Sequence, residues 1–330
     1  MKSKLMIVVL AIFTGLAFTG CEKELKSEEP GMLVPKTVDE DPSLPSITIN
    51  GTQLHAETFG NPDSAMVVFL HGGPGGDYRS ALQVKQLAAN GYYVVFYDQR
   101  GAGLSKRQDK DRYSIDMMLD DLAGVIQHYR RSPAQKIFLF GHSWGAILAT
   151  AYINAHPTAV NGVILAEPSG LTWNELKEYG RKTRTLELFS EAANDVVYRD
   201  QFLTAKENEH ALLDYKLALN SAFEYAAGNA EGVEGPWPFW RFGAVSLKAL
   251  SDIGERDGMN VTVNLSQFHA KALFLYGEYN KAYGLTTAEH QAQYFSSSQI
   301  TKIAGTGHEM IYFRWDLVYP AVLTYLNALK

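Results

Sequence analysis

One serine of this chain lies in a pattern that is typical of an activated nucleophile. Ser143 is the centre of Gly141-His142-Ser143-Trp144-Gly145, which matches Gly-x-Ser-x-Gly. An apolar run precedes the pattern and a segment with helical spacing follows it, and such a sharp strand-to-helix turn exposes a serine oxygen. We therefore expect Ser143 to act as a nucleophile in acyl transfer.

A histidine near the end of the chain is the candidate general base. His308 follows a short apolar run that ends at Ile303 and precedes the last segment with helical spacing. In folds that use this serine turn, the order along the chain is serine, acid, histidine. His308 occupies the last place in that order, so we expect it to take the proton of Ser143.

A glycine-rich loop supplies candidate donors for a developing oxyanion. The loop is His71-Gly72-Gly73-Pro74-Gly75-Gly76, and its glycines let the backbone approach a reacting carbonyl closely. We expect the N–H groups of Gly73 and Trp144 to stabilise the oxyanion. A phosphate-binding loop is the alternative for such a segment, but the lysine and spacing of that motif are missing here.

Short apolar runs surround these residues and predict a sheet. Each run has five to seven residues that are rich in β-branched and aromatic types, as buried parallel strands require. The runs are residues 66–70, 92–97, 136–140, 162–166 and 270–276. Segments with helical spacing lie between them, at residues 80–89, 114–130 and 144–155. This alternation predicts a mostly parallel sheet flanked by helices.

The alternation stops after Pro168. From residue 171 to about 264 the pattern is mostly helical, with a turn-rich interruption at residues 228–235 and an aromatic cluster at residues 236–240. We expect residues 168–264 to form an inserted helical cap over the carboxyl edge of the sheet, where ligands bind in open α/β folds. The aromatic cluster suits either the core of this cap or a wall facing the substrate.

Three segments of the chain together match the motifs of a known family. The segments are His71 to Gly75, Asp98-Gln99-Arg100-Gly101-Ala102-Gly103-Leu104-Ser105 and Gly141 to Gly145. They resemble those of the proline iminopeptidases within the α/β-hydrolase superfamily. The resemblance covers about residues 47–166 and 265–330 and does not extend to the cap. It implies an α/β-hydrolase core formed by residues 47–167 and 265–330.

The resemblance also implies an activity. Proline iminopeptidases remove an N-terminal residue, often proline, from peptides. By the same resemblance Asp98, Arg100 and Gly101 shape the floor of the site without reacting.

The chain departs from the family at the catalytic acid. The resemblance implies an aspartate in a Gly-Arg-Tyr-Asp-like segment, where this chain reads Gly277-Glu278-Tyr279-Asn280. Asparagine brings no charge to stabilise an imidazolium, and the equivalent change in a serine protease costs roughly 10⁴ in turnover. The acid must therefore lie elsewhere, or the activity is weak.

Glu167 is the first candidate for the displaced acid. Ala166-Glu167-Pro168 follows the run at residues 162–166, and it is similar to the segment in which haloalkane dehalogenases place their acid. Glu278, Asn280 as an uncharged orienting group, and no equivalent at all are the alternatives. Dehalogenase and epoxide hydrolase chemistry is not expected, because those enzymes use an aspartate nucleophile where this chain has Ser143.

The function expected from these residues is cleavage of an amide or ester through an acyl-enzyme. An aminopeptidase needs an anion that binds the substrate's ammonium, and Glu224, Glu231 and Glu234 of the expected cap are candidates, unless they are ordinary surface glutamates. An esterase or lipase would need only an apolar pocket. A catalytically inactive domain that binds a ligand is the third interpretation, supported by Asn280.

The N-terminus has the features of an export signal. Lys2 and Lys4 precede an apolar run at residues 5–18, and residues 16–21 resemble the lipobox of bacterial lipoproteins, which ends at the lipidated cysteine. Cys21 is the one cysteine of the chain. An uncleaved anchor is the alternative, but about 14 apolar residues are short of the roughly 20 that span a bilayer. We expect residues 1–21 to be a signal peptide, residues 22–46 a flexible tether, and the protein to be anchored at the cell envelope through Cys21.

Composition narrows the class of partner. The 330 residues are 46% hydrophobic, which suffices for a large folded core. The formal net charge of −6 offers no basic stripe, so nucleic acid is not expected as a partner, and a small molecule or short peptide is. We find no histidine, cysteine and aspartate cluster with metal-ligand spacing, and expect no metal or organic cofactor.

Overall fold

A computed structural model of the protein describes residues 34–183, 209–224, 229–236 and 238–330. The expected signal peptide, Cys21 and the first part of the expected tether lie outside the described residues, as do Trp237 and the side chain of Glu224. Within the described ranges, no helix is both long enough and apolar enough to cross a bilayer.

A sheet of eight strands forms the centre of the described chain. The strands are β1 (Ser46–Ile49), β2 (Thr52–Phe59), β3 (Ala65–Leu70), β4 (Tyr92–Tyr97), β5 (Ile137–His142), β6 (Gly162–Ala166), β7 (Ala272–Gly277) and β8 (Ser298–Ile303). Their order across the sheet is β1-β2-β4-β3-β5-β6-β7-β8. Strands β1 and β2 pair in antiparallel fashion, and β2 joins β4 in the same way, whereas β3 to β8 pair in parallel. The mostly parallel sheet expected from the sequence is confirmed.

Helices cover both faces of this sheet, so strands β4 to β7 are buried along their whole length. The α-helices in the described residues are α1 (Ile115–Tyr129), α2 (Trp144–Ala155), α3 (Trp173–Thr183), α4 (Glu209–Glu224), α5 (Ala244–Asp257), α6 (Gly284–Ala292), α7 (Met310–Phe313) and α8 (Trp315–Leu329). Three 3₁₀ helices join them, at Arg79–Asn90, Lys110–Arg112 and Leu265–Gln267. Helices α1 and α2 pack in the core on one face, and the helix Arg79–Asn90 and α8 pack in the core on the other.

The segment inserted after β6 is closed at its base by backbone hydrogen bonds. Trp173 N–H donates to Met259 O over 2.7 Å, and Val261 N–H donates to Leu171 O over 3.0 Å. Its described parts include the helices α3, α4 and α5. In the aromatic cluster, the Trp240 ring meets Tyr78 edge-on at 4.9 Å between centroids, so this tryptophan belongs to the protein core.

One buried carboxylate holds the insertion to the rest of the protein. Asp214 of α4 is fully buried and accepts hydrogen bonds from Arg107 Nε at 2.9 Å and Arg241 Nε at 2.8 Å. It also accepts from the N–H of Ala244, the first residue of α5, at 2.9 Å. Because every side chain of this group is paired, the buried charges do not carry the penalty of isolated ions.

The expectation of a flexible tether up to residue 46 is wrong for residues 34–45, which pack against the domain. Val38 is 2% exposed, and its N–H donates to Leu104 O over 2.9 Å. Arg241 donates to Pro35 O at 3.0 Å and to the Glu40 carboxylate at 3.2 Å. The prolines and charges of this segment, which indicated a tether, serve here as contacts with the folded domain.

Val38→Ala is therefore expected to lower the free energy of unfolding by about 2 kcal/mol, because it removes two buried carbons and leaves a cavity. Urea denaturation of the two proteins measures the difference. Lys36→Ala, on an exposed side chain of the same segment, is the matched control and should change stability by no more than about 0.5 kcal/mol. Equal stability of Val38→Ala and wild type would contradict the packed arrangement.

Candidate active site

Ser143 lies in a strained turn between β5 and α2. Its φ of 53° and ψ of −121° fall in a region that residues with a side chain rarely adopt, and such strain gathers at functional sites. The flanking glycines are required sterically. A Cβ on Gly145 would lie 1.9 Å from Leu70 O, and one on Gly141 would lie 2.3 Å from Gly145 O. The two glycines of Gly-x-Ser-x-Gly thus allow helix α2 to begin in contact with strand β3.

The glycine-rich loop after β3 passes directly beside Ser143. A Cβ on Gly72 would lie 3.2 Å from the Ser143 Cβ, a tight contact that would require the two segments to move apart by a few tenths of an ångström. Gly73 has a φ of +124°. Trp144 is the first residue of α2, where backbone N–H groups have no acceptor within the helix. Gly73 and Trp144 both line one cavity of about 250 Å³.

Glu167 follows β6 and meets His308 in the protein interior. Its side chain is fully buried, and Oε2 lies 2.6 Å from His308 Nδ1. Gly277 N–H donates to Oε1 and Asn280 Nδ2 donates to Oε2, both at 2.7 Å. Because a carboxylate only accepts, His308 Nδ1 is the donor, so in the neutral imidazole Nε2 is the nitrogen that can accept a proton. Three donors thus stabilise one buried negative charge.

Asn280 is part of this arrangement rather than a replacement for the acid. Its Oδ1 accepts from the N–H groups of Ala282 and Tyr283, which turns the Nδ2 toward Glu167. An aspartate at this position would place a second carboxylate against Glu167, and one of the two would have to bind a proton. The buried position of Glu167 therefore explains why residue 280 is uncharged.

Glu278, the other candidate acid, points to a different set of partners. Its carboxylate accepts from Lys302 Nζ and from the N–H of Gly305, both at 3.0 Å, and the side chain is 40% exposed. The structure brings Glu167, and not Glu278, to His308.

The insertion contributes two further groups beside His308. The backbone of Glu231 is fixed there, because His308 N–H donates to Glu231 O over 2.8 Å. Tyr179 of α3 donates a hydrogen bond from its hydroxyl to the Glu231 carboxylate, and the same hydroxyl lies 3.5 Å from His308 Nδ1. Of the two candidate glutamates whose side chains are described, Glu231 lies at this site, while Glu234 is an exposed surface residue.

Close backbone packing holds Glu231 in place. A Cβ on Gly307 would lie 1.8 Å from Gly232 O, so the loop carrying Glu231 rests directly on the loop carrying His308. No local sequence pattern indicates this contact, because it joins residues more than seventy positions apart.

The carboxylates around His308 favour its charged form. Burial alone would lower the pKa of His308, but Glu231, Glu167 and Glu309 outweigh burial and raise the pKa to about 10. Burial raises the pKa of Glu309 to about 7. His142 is in the opposite situation, since burial and the neighbouring His308 lower its pKa to about 3.

One group of described residues has the composition of a metal site. His142, His308 and Glu309 each offer a potential ligand atom, and these atoms lie within 4.8 Å of one another. Both imidazoles already have partners in the fold, since His142 Nε2 bonds to His308 O at 2.8 Å and His308 Nδ1 bonds to Glu167. Sequence spacing did not indicate this group, because position 142 is distant from 308 and 309 along the chain.

Comparison with known proteins agrees with this architecture. A family model described as alpha/beta hydrolase fold matches residues 65–314. Epoxide hydrolase B of Mycobacterium tuberculosis is 37% identical over 121 residues, which cover 36% of this chain and 33% of that protein. Proline iminopeptidase of Heyndrickxia coagulans is 32% identical over 146 residues, which cover 43% of this chain and 49% of that protein. The chain thus spans between a third and a half of the length of these curated relatives.

A solved structure shows the same fold. The crystal structure of proline iminopeptidase from Mycobacterium smegmatis superposes with a TM-score of 0.58 at 16% sequence identity. The superposition covers 86% of this chain and 97% of that chain. At this identity the likeness concerns the fold alone.

The charge around His308 leads to a prediction about its titration. In ¹⁵N-labelled protein, the His308 imidazole should titrate by NMR with a midpoint well above the usual 6.5. Glu231→Gln should lower the midpoint, because it removes a carboxylate that stabilises the imidazolium. Glu234→Gln, on an exposed side chain, should leave it in place. A wild-type midpoint at or below 6.5 would contradict this account of the electrostatics.

Proposed function

This chain belongs to the α/β-hydrolase family, and on this premise we propose that it is a serine hydrolase that forms an acyl-enzyme at Ser143. The observation that carries the proposal is the hydrogen bond between His308 Nδ1 and the buried carboxylate of Glu167. It fixes the tautomer in which Nε2 accepts a proton, as a general base for a serine requires. Ser143 follows His142, whose ring lies 4.7 Å from the His308 ring between centroids.

The proposed reaction has two balanced steps. In the first, the Ser143 oxygen attacks the carbonyl carbon while its proton moves to His308 Nε2; the bond to the leaving group then breaks, and the leaving group takes that proton. In the second step a water molecule attacks the acyl-enzyme, its proton passing through His308 to the Ser143 oxygen as the acid is released. The N–H groups of Gly73 and Trp144 stabilise the oxyanion in both steps. Since only neutral His308 can accept the proton, activity should increase as the pH is raised.

The serine itself favours a carbonyl substrate over an epoxide. Attack of Ser143 on an epoxide carbon would give an ether, and water does not cleave an ether as it cleaves an acyl ester. The identity with epoxide hydrolase B therefore supports the family and not that activity. Esters and amides both give an acyl-enzyme that water can hydrolyse.

Within this mechanism we favour an aminopeptidase of the proline iminopeptidase kind. The support is Glu231, whose carboxylate lies beside His308 and is held by Tyr179, where it could pair with the free ammonium of a substrate's first residue. An ammonium neighbouring the scissile carbonyl would come within reach of a carboxylate in this position. A simple ester has no ammonium for this carboxylate to bind, so a role for Glu231 in substrate binding is specific to an aminoacyl substrate.

Labelling with a fluorophosphonate probe tests the nucleophile and the acid together. Wild type should label, Ser143→Ala should not, and Glu167→Gln should lose roughly 10³- to 10⁴-fold in rate because the imidazolium loses its partner. Glu278→Gln is the matched control on the same side chain type and should label at the wild-type rate.

A double variant makes this test sharper. Combining Glu167→Gln with Asn280→Asp moves the negative charge to residue 280, where proline iminopeptidases carry their acid. In the wild-type protein the Asn280 Nδ2 lies 3.5 Å from His308 Nδ1. The double variant should recover part of the lost rate. Folded wild type that stays unlabelled would instead support a catalytically inactive binding domain.

The role of Glu231 is tested with a pair of substrates that differ only in the ammonium. An aminoacyl aminomethylcoumarin should be cleaved faster than its N-acetyl form, and Glu231→Gln should reduce this preference by about 10- to 100-fold, the value of one charge-assisted hydrogen bond. The ratio of the two rates at one pH cancels the change that Glu231→Gln makes in His308. Glu234→Gln is the control. Equal cleavage of both substrates by wild type would argue for an esterase.

A further inference from the structure

One cavity of the described chain is lined by both proposed oxyanion donors. Gly73 and Trp144 are among the residues that line it, and its volume is about 250 Å³. A carbonyl oxygen bound between their N–H groups would leave the acyl side chain directed into the space they line. The cavity is therefore the candidate acyl subsite.

The walls of this subsite are apolar. Ile147 of α2 lies on the core side, and two helices of the insertion supply the rest, through Trp173 and Leu176 of α3 and through Leu247 and Leu250 of α5. Among the described residues of its lining, the polar side chains are Ser169, Lys177 and Ser251, of which the last two are exposed to solvent.

The size of the subsite indicates what fits. An engineered apolar cavity of about 150 Å³ in another protein stays dry and binds benzene. The present cavity is larger, so it has room for a benzyl or isobutyl group. The smaller, rigid ring of proline would leave much of the apolar wall without contacts, and unfilled apolar space forfeits binding energy.

Close packing fixes both walls. Gly243 N–H donates to Gly75 O over 2.7 Å, so helix α5 starts on the loop that carries Gly73. A Cβ on Gly75 would lie 2.5 Å from Gly243 O. On the other wall, the Trp173 ring lies against Gly254 of α5, where a Cβ would come within 2.4 Å of a ring atom. The shape of the subsite thus depends on glycines that hold α3 and α5 in contact.

We infer that the acyl subsite selects a bulky apolar side chain, of the size of phenylalanine or leucine, over proline and alanine. This inference rests on the proposed serine hydrolase function. Leu247 and Leu250 are the specificity-determining residues, since both line the subsite from α5.

The test is a series of aminoacyl aminomethylcoumarins that carry phenylalanine, leucine, proline or alanine, with p-nitrophenyl phenylacetate and acetate as the ester pair. A single methylene in an apolar pocket changes kcat/KM by roughly 10- to 200-fold. Wild type should therefore prefer phenylalanine to alanine, and phenylacetate to acetate, by at least about 100-fold. The kcat/KM for the proline substrate should be as low as that for the alanine substrate.

Leu250→Trp fills the subsite and should lower the ratio of kcat/KM for the bulky substrate to kcat/KM for the small substrate at least tenfold. Leu317→Trp, on a 36% exposed side chain of α8, is the matched control and should leave the ratio unchanged. Leu247→Phe is a milder filling change in case Leu250→Trp does not fold, as circular dichroism would show.

The outcomes separate the inference from the proposed function. If Ser143 labels but proline or alanine is preferred, or if both filling variants keep the wild-type ratio, the subsite inference is wrong and the hydrolase proposal stands. If only the esters are cleaved, the ratio of phenylacetate to acetate decides the inference. If folded wild type neither labels nor turns over any substrate, the proposed function fails and the inference fails with it.

Discussion

The site depends on one buried charge. The Glu167 carboxylate lies in the interior without access to water, so the protein must supply all of its hydrogen-bond donors. Gly277 and Asn280, at the end of β7 and just after it, do so together with His308, which follows β8. Satisfying this charge fixes the orientation of His308, and it excludes a second carboxylate at position 280.

The parallel sheet explains why these residues meet. Strands β5 to β8 are neighbours and their carboxyl ends share one edge, where Ser143, Glu167, Asn280 and His308 follow successive strands. The insertion then adds Glu231 at the same edge. A few glycines, which have no side chain, allow loops from distant parts of the chain to approach within contact distance there. The scaffold therefore positions each group with little freedom.

Local patterns could predict much of this arrangement, and long-range contacts could not. The strands and the serine turn follow from apolar runs and glycine spacing, which are properties of adjacent residues. Glu167 could be predicted as a site residue because it directly follows a predicted strand, and the carboxyl ends of the strands form the ligand-binding edge of this fold. The contact of Tyr179 and Glu231 with His308 depends on how an insertion folds back, and the packing of residues 34–45 depends on Arg241, far along the chain. Composition alone gave the wrong prediction for that segment.

The roles of Ser143, Gly73 and Trp144 can be observed in a crystal structure of the protein after reaction with a fluorophosphonate. We expect phosphorus bonded to the Ser143 oxygen, a phosphonyl oxygen accepting from the N–H groups of Gly73 and Trp144, and the hydrogen bond from His308 to Glu167 intact. A phosphonate on another side chain, or a phosphonyl oxygen turned away from both N–H groups, would contradict these roles.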